Sequence, residues 1–157
     1  MSRVQLALNV ENVDDAVAFY TKLFGVEPAK RRPGYANFAI PEPPLKLVLI
    51  EGEPDRPTAL DHLGVEVATT DEVGEATARL SGLGLVTAEE NDTTCCYALQ
   101  DKVWVRGPGN EPWEVYTVKA DAPDATGVRP DNGSGPCECG APVATGRPSD
   151  HPAVEDP

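Results

Sequence analysis

Apolar and polar residues alternate with period two from Val4 to Val10. Val4, Leu6, Leu8 and Val10 lie on one side, and Gln5, Ala7 and Asn9 on the other. That is the pattern of a half-buried strand. The period then lengthens: Ala16, Phe19, Tyr20 and Leu23 share one helical face, with Asn12 placed as N-cap and Gly25 as the stop, so a helix is predicted between them. Tyr35–Ile40 and Leu45–Ile50 read as strands split by the Pro-rich turn Pro41–Pro44, and Gly52–Ala59 reads as a linker. His62–Val67 is the next strand. Thr70 is the expected N-cap of a second helix, which turns Val73, Ala76 and Leu80 inward. Leu85–Thr87, Cys96–Gln100, Val103–Arg106 and Trp113–Val118 supply the later strands, with a turn at Gly107–Asn110.

Residues 62–83 repeat residues 5–26 without a gap, at an offset of 57. Leu6 meets Leu63, Val10 meets Val67, Asp14 meets Asp71, Leu23 meets Leu80 and Gly25 meets Gly82. A repeat of this size is a duplicated supersecondary unit. The predicted fold is therefore α+β: two tandem βαβββ modules, module 1 about residues 1–55 and module 2 about 60–120. A pseudo-twofold axis between the modules sets Gln5 opposite His62. If Leu63, Val65 and Val67 pack under the second helix, His62, Gly64 and Glu66 face the other way. In the last strand Glu114 and Tyr116 share a face. A curved sheet that gathers Gln5, His62 and Glu114 on its concave face holds one imidazole, one carboxylate and one amide, a three-ligand set with open coordination positions. The same alternation also describes ordinary solvent-facing residues.

Composition narrows the partners. The 157 residues suit one domain, and 26 acidic against 13 basic residues give a net charge of −13. That argues against nucleic acid or an anionic membrane as partner. No apolar run is long enough to span a bilayer and no signal pattern follows Met1, so a soluble, cytoplasmic protein is expected. Residues 121–157 hold seven Pro and five Gly and are expected to be a disordered tail. The four cysteines, Cys95, Cys96, Cys137 and Cys139, are expected as thiols in a reducing compartment. Adjacent Cys95 and Cys96 close a disulfide only through a strained eight-membered ring. As a pair of thiolates they suit trivalent arsenic, Cd²⁺ or Zn²⁺; as small residues at a strand edge they need no function. Cys137-Glu-Cys139 has the spacing of a thiophilic trap, and equally of chance in a disordered tail.

The tandem repeat, the opening-strand residue Gln5, His62 and the closing NEPWEVY resemble the vicinal oxygen chelate superfamily of glyoxalases, extradiol dioxygenases and antibiotic-resistance proteins. The resemblance implies Gln5, His62 and Glu114 as metal ligands. It puts the fourth ligand position near Val48, which cannot ligate. The runs RRPGYANFAIPEPPLKLVLIE, TTCC, QDKVWV and PWEVYTV further resemble the actinobacterial cadmium-induced proteins and the organoarsenical carbon–arsenic lyases. That narrower resemblance implies an Fe(II)- and O₂-dependent dioxygenase that cleaves trivalent methyl- or arylarsenicals to arsenite. Cys95 and Cys96 would be the catalytic, substrate-binding thiols. Many of these lyases have His where this chain has Gln5, so Ni, Co, Zn or Cd in place of iron also falls within what is implied. The chain would act as monomer or homodimer. The alternatives are a cadmium- or metalloid-sequestering protein without catalysis, or a glyoxalase-like isomerase.

Overall fold

The structure, a computed structural model, describes residues 2–123. Module 1 comprises β1 (Arg3–Val10), α1 (Val13–Phe24), β2 (Lys30–Arg32), β3 (Tyr35–Ile40) and β4 (Leu45–Glu51). Module 2 comprises β5 (Ala59–Glu66), α2 (Thr70–Gly82), β6 (Ala88–Cys95), β7 (Ala98–Arg106) and β8 (Pro112–Asp121). The two βαβββ modules share one eight-stranded sheet in the order β2-β3-β4-β1-β5-β8-β7-β6. The order is symmetric about the antiparallel β1–β5 pair, and each of these strands has its module's last strand parallel on its outer side. This is the pseudo-twofold arrangement that the repeat implied.

One face of the module 1 sheet is an apolar core. Val13 and Val17 of α1, with Ala16, Tyr20 and Phe24 beside them, pack on Phe38, Leu47 and Leu49. The helix is thus turned from the expected face, and Phe19 and Leu23 are exposed. Its ends are as expected: the Asn12 side chain accepts from the Asp15 N–H, and Gly25 closes the helix at φ 68°, where Gly avoids the steric cost of a Cβ. The second helix starts one residue earlier than expected. Thr69 is its N-cap and forms a capping box with Glu72, a T-x-x-E signal legible in the sequence. Thr70 instead donates to Asp101.

The strands differ from expectation at several places. Lys30–Arg32 forms a short charged edge strand, a composition that hides its β character and suits an exposed edge. Leu85–Thr87 is not a strand; it lies in the connection after α2, with Val86 exposed. The expected strands Cys96–Gln100 and Val103–Arg106 are replaced by one strand, β7, which starts only at Ala98. The Asp101-Lys102 pair reads as a break, but both side chains are buried and satisfied, by Thr70 and by Glu114. The linker also ends early, since β5 begins at Ala59. At the other end β8 runs to Asp121, and the Ala122 N–H donates to the Tyr97 carbonyl at 2.9 Å. Among the described residues, the domain's bonds thus extend past residue 120. The expectations for the remaining tail, Cys137 and Cys139 included, lie outside the described residues. No helix among the described residues is long and apolar enough to cross a membrane.

Candidate functional site

Three strands bring the three expected donors together. Across the sheet Gln5 of β1 pairs with Gly64 of β5, and Gly64 pairs with Glu114 of β8. His62 lies two residues back on the same face of β5. Gly64 makes the convergence possible. A Cβ there would stand 3.1 Å from Glu114 Cγ and 3.3 Å from Gln5 Cβ, closer than side chains ordinarily pack. The counterpart of Glu114 in module 1 is Val48, which pairs with Ala7 as Glu114 pairs with Gly64. Register therefore places valine at the fourth ligand position.

Gln5, His62 and Glu114 are each 3–4 % exposed, more buried than Leu6 or Leu8 on the opposite face of β1. The polar side of the first strand is thus the closed side, the reverse of an ordinary half-buried strand. Gln5 Nε2 lies 3.0 Å from His62 Nε2 and 2.7 Å from Glu114 Oε1, and His62 Nε2 lies 3.3 Å from the same oxygen. With the Gln5 amide turned so that its oxygen takes the place of Nε2, these separations match one face of an octahedron with bonds of about 2.1 Å, whose cis donors stand about 3.0 Å apart. Among the described residues no cluster of three His, Cys, Asp or Glu forms a metal site; here the third donor is an amide. With an imidazole, a carboxylate and an amide oxygen, the set fits a divalent cation of intermediate hardness.

The surrounding residues prepare each donor. Asp61 Oδ1, 2.5 Å from His62 Nδ1, directs Nε2 at the cluster. Asp61 is itself held by Asn9 Nδ2 at 2.9 Å. The Trp104 ring stands edge-on to the imidazole at 5.4 Å. Lys102 Nζ donates to Glu114 Oε2 at 2.8 Å, so only Oε1 faces the other donors. Burial disfavours the Glu114 carboxylate, but Lys102 and then His62 outweigh it and hold its pKa near 2. Tyr116 donates to Gln5 Oε1. Of these, Gly64 and Tyr116 were placed on the correct face from sequence. Asp61 and Lys102 were missed, although the alternation of Gln100, Lys102 and Trp104 was a usable signal.

His62 yields a pH prediction. Burial opposes its protonation, but Asp61 and Glu114 at its two nitrogens prevail and raise its pKa to about 9. Below that pH the metal-free ring is protonated, and a metal must displace the proton. Mn²⁺ affinity, read from the free-ion electron paramagnetic resonance signal, is expected to rise about tenfold per pH unit from pH 6 and to level off near 9. Levelling at the ordinary imidazole value of about 6.5 would contradict this account.

Cys95 ends β6, and Cys96 and Tyr97 form a two-residue hairpin turn into β7 with φ of 51° and 62°. The Thr-rich stretch before the pair is thus strand up to Cys95, an element not expected from the sequence. Two non-glycine residues in the left-handed region cost on the order of 1–3 kcal/mol each, and contacts with module 1 offset this. Cys96 and Tyr97 pack on Ala7, Tyr35 and Val48. The Tyr97 ring lies 5.3 Å from that of Tyr35, the Arg32 guanidinium sits over it at 5.7 Å, and Lys30 Nζ donates to its carbonyl at 3.1 Å. Ala7 is two residues from Gln5 on the same face, so the turn lies about 7 Å along the strand from the donors. The sulfur atoms of Cys95 and Cys96 are 3.5 Å apart. Cys95 is buried at the end of β6.

The profile of the glyoxalase/bleomycin resistance protein/dioxygenase superfamily matches residues 3–115. A trivalent organoarsenical cleaving enzyme of Thermomonospora curvata is 68% identical over 122 residues, 78% of this chain and 81% of that protein. A cadmium-induced protein of Mycobacterium tuberculosis is 62% identical over 122 residues, 78% of this chain and 80% of that protein. Among solved structures, a Mn(II)-bound glyoxalase from Novosphingobium aromaticivorans superposes with a TM-score of 0.55 at 20% identity, over 78% of this chain and 42% of that one. Profile, relatives and the symmetric double-module sheet agree, and the chain belongs to the glyoxalase/bleomycin resistance protein/dioxygenase superfamily.

Proposed function

We propose that this protein cleaves the carbon–arsenic bond of trivalent methyl- or arylarsenicals to give arsenite. In this reading Gln5, His62 and Glu114 hold Fe(II), and reduced Cys95 and Cys96 hold the arsenic. The observation that carries it is the placement of the cysteine turn against Ala7, on the same sheet face as the three donors. Identity of 68% to an enzyme named for this cleavage supports it. Each thiol exchanges its proton for a bond to arsenic and releases water from an As–OH group. Two sulfurs 3.5 Å apart can span one arsenic atom without moving far. Lys102 keeps Glu114 ionised, Asp61 fixes the His62 ring, and the Tyr35–Tyr97 contact helps close the face to water. When bound, Fe(II) supplies the one-electron chemistry that activates dioxygen. For the methylarsenical one O₂ is consumed, the carbon leaves oxidised as formaldehyde, water returns a proton to each sulfur, and arsenite leaves.

The vicinal cysteines alone, with 62% identity to a protein named for cadmium induction, support a second reading: capture of a thiophilic ion without turnover. The test is oxygen uptake on adding trivalent methylarsenical to Fe(II)-loaded, reduced protein. Equimolar O₂ consumption and arsenite release are expected. Binding without either would leave the sequestering reading standing.

A further inference from the structure

The Tyr116 hydroxyl has two oxygens within reach, Gln5 Oε1 and, at 3.1 Å, Glu66 Oε2. A phenol carries one proton and donates once, so one of these contacts lacks a donor while the Gln5 amide stands as it does. Glu66 has the stronger claim: it is a carboxylate, paired with Arg3 at 3.1 Å and Lys46 at 3.4 Å, and a charged acceptor makes the stronger bond. Turning the amide end for end resolves the conflict. Its nitrogen then donates to the Tyr116 oxygen, and the Tyr116 proton goes to Glu66. The amide oxygen takes the place that Nε2 occupies, 2.7 Å from Glu114 Oε1 and 3.0 Å from His62 Nε2. Two oxygens that close repel unless a positive charge joins them.

The two orientations thus have opposite needs. One satisfies Glu114 and leaves Tyr116 over-subscribed. The other satisfies Tyr116 and needs a positive charge at the amide oxygen, from His62 as imidazolium or from a bound divalent cation. Gly64 leaves the amide room to turn, because no side chain stands between Gln5 and Glu114. From this donor count we infer that Tyr116 and Glu66 are positioning residues that turn the Gln5 amide oxygen toward an incoming divalent cation. The inference rests on the reading of Gln5, His62 and Glu114 as ligands.

The test uses Mn²⁺, which prefers oxygen and nitrogen over thiolate, with binding read by electron paramagnetic resonance and folding by circular dichroism. Tyr116→Phe removes one oxygen and keeps the ring beneath Lys46 and Lys102. It is expected to weaken Mn²⁺ binding about ten- to a hundredfold. In a Gln5→Glu background the two ends of the side chain are identical and nothing is left to orient. There the same substitution is expected to leave affinity within about twofold, or to raise it. An equal loss in both backgrounds would make Tyr116 a packing residue and overturn the inference. His62→Ala, run in parallel, separates the layers. Retained Mn²⁺ binding there removes the ligand reading and this inference with it. Binding lost in His62→Ala but unmoved by Tyr116→Phe removes this inference alone. Should Gln5→Glu not fold, a crystal structure of the Mn²⁺-loaded protein decides. Tyr116 Oη is expected within hydrogen-bond reach of both the Gln5 side chain and Glu66, and a Gln5 side chain turned out of the site overturns the proposal.

Discussion

His62→Ala is expected to abolish stoichiometric divalent-metal binding and, with it, turnover, while the protein stays folded. The imidazole is the only nitrogen ligand of the proposed set, and the loss should exceed the roughly hundredfold effect of outer-shell changes. The fold should survive because the other polar groups keep partners. Gln5 still donates to Glu114, Lys102 still pairs with Glu114, and Asn9 still donates to Asp61. Loss of the ring's hydrogen bonds should cost about 1–3 kcal/mol of stability. Mn²⁺ titration and thermal melting read the two effects separately. Full Mn²⁺ occupancy in a folded His62→Ala protein would show that the centre lies elsewhere.

Replacing either thiol is expected to act on the other half of the chemistry. Cys95→Ser and Cys96→Ser should each lose binding and turnover of trivalent methylarsenical and keep Mn²⁺ affinity. A single thiolate forms one As–S bond, and losing the intramolecular second bond forfeits an advantage of about a hundredfold or more. The metal donors should be unaffected, since Gln5, His62 and Glu114 are held by one another and by Tyr116, Asp61 and Lys102. The comparison must be made with reductant present, because Cys96 is available only as a thiol. Wild-type turnover in both single variants would reduce the pair to a structural turn. Loss of metal as well would mean that the hairpin shapes the donor cluster, and the division of labour proposed here would fail.

Much of this was legible in the chain. The duplicated 22-residue unit set the module count and the equivalence of Gln5 and His62, because a duplicated unit reports symmetry directly. Period-two alternation put Gln5, His62 and Glu114 on faces that then coincided, since a strand offers only two sides. Adjacency alone marked Cys95 and Cys96. Alternation could not say which side of β1 is closed. That depended on His62 and Glu114 closing over Gln5 and on the cysteine turn covering Ala7, contacts made by residues far away in sequence. Nor could it show that Lys102 is buried on Glu114 rather than solvated in a turn. A charge may be buried only where a partner waits, and the partner lies on the next strand. The orientation of the Gln5 amide was likewise beyond local pattern. It is decided by the count of donors and acceptors contributed by β1, β5 and β8, which only the assembled sheet brings within a hydrogen bond of one another.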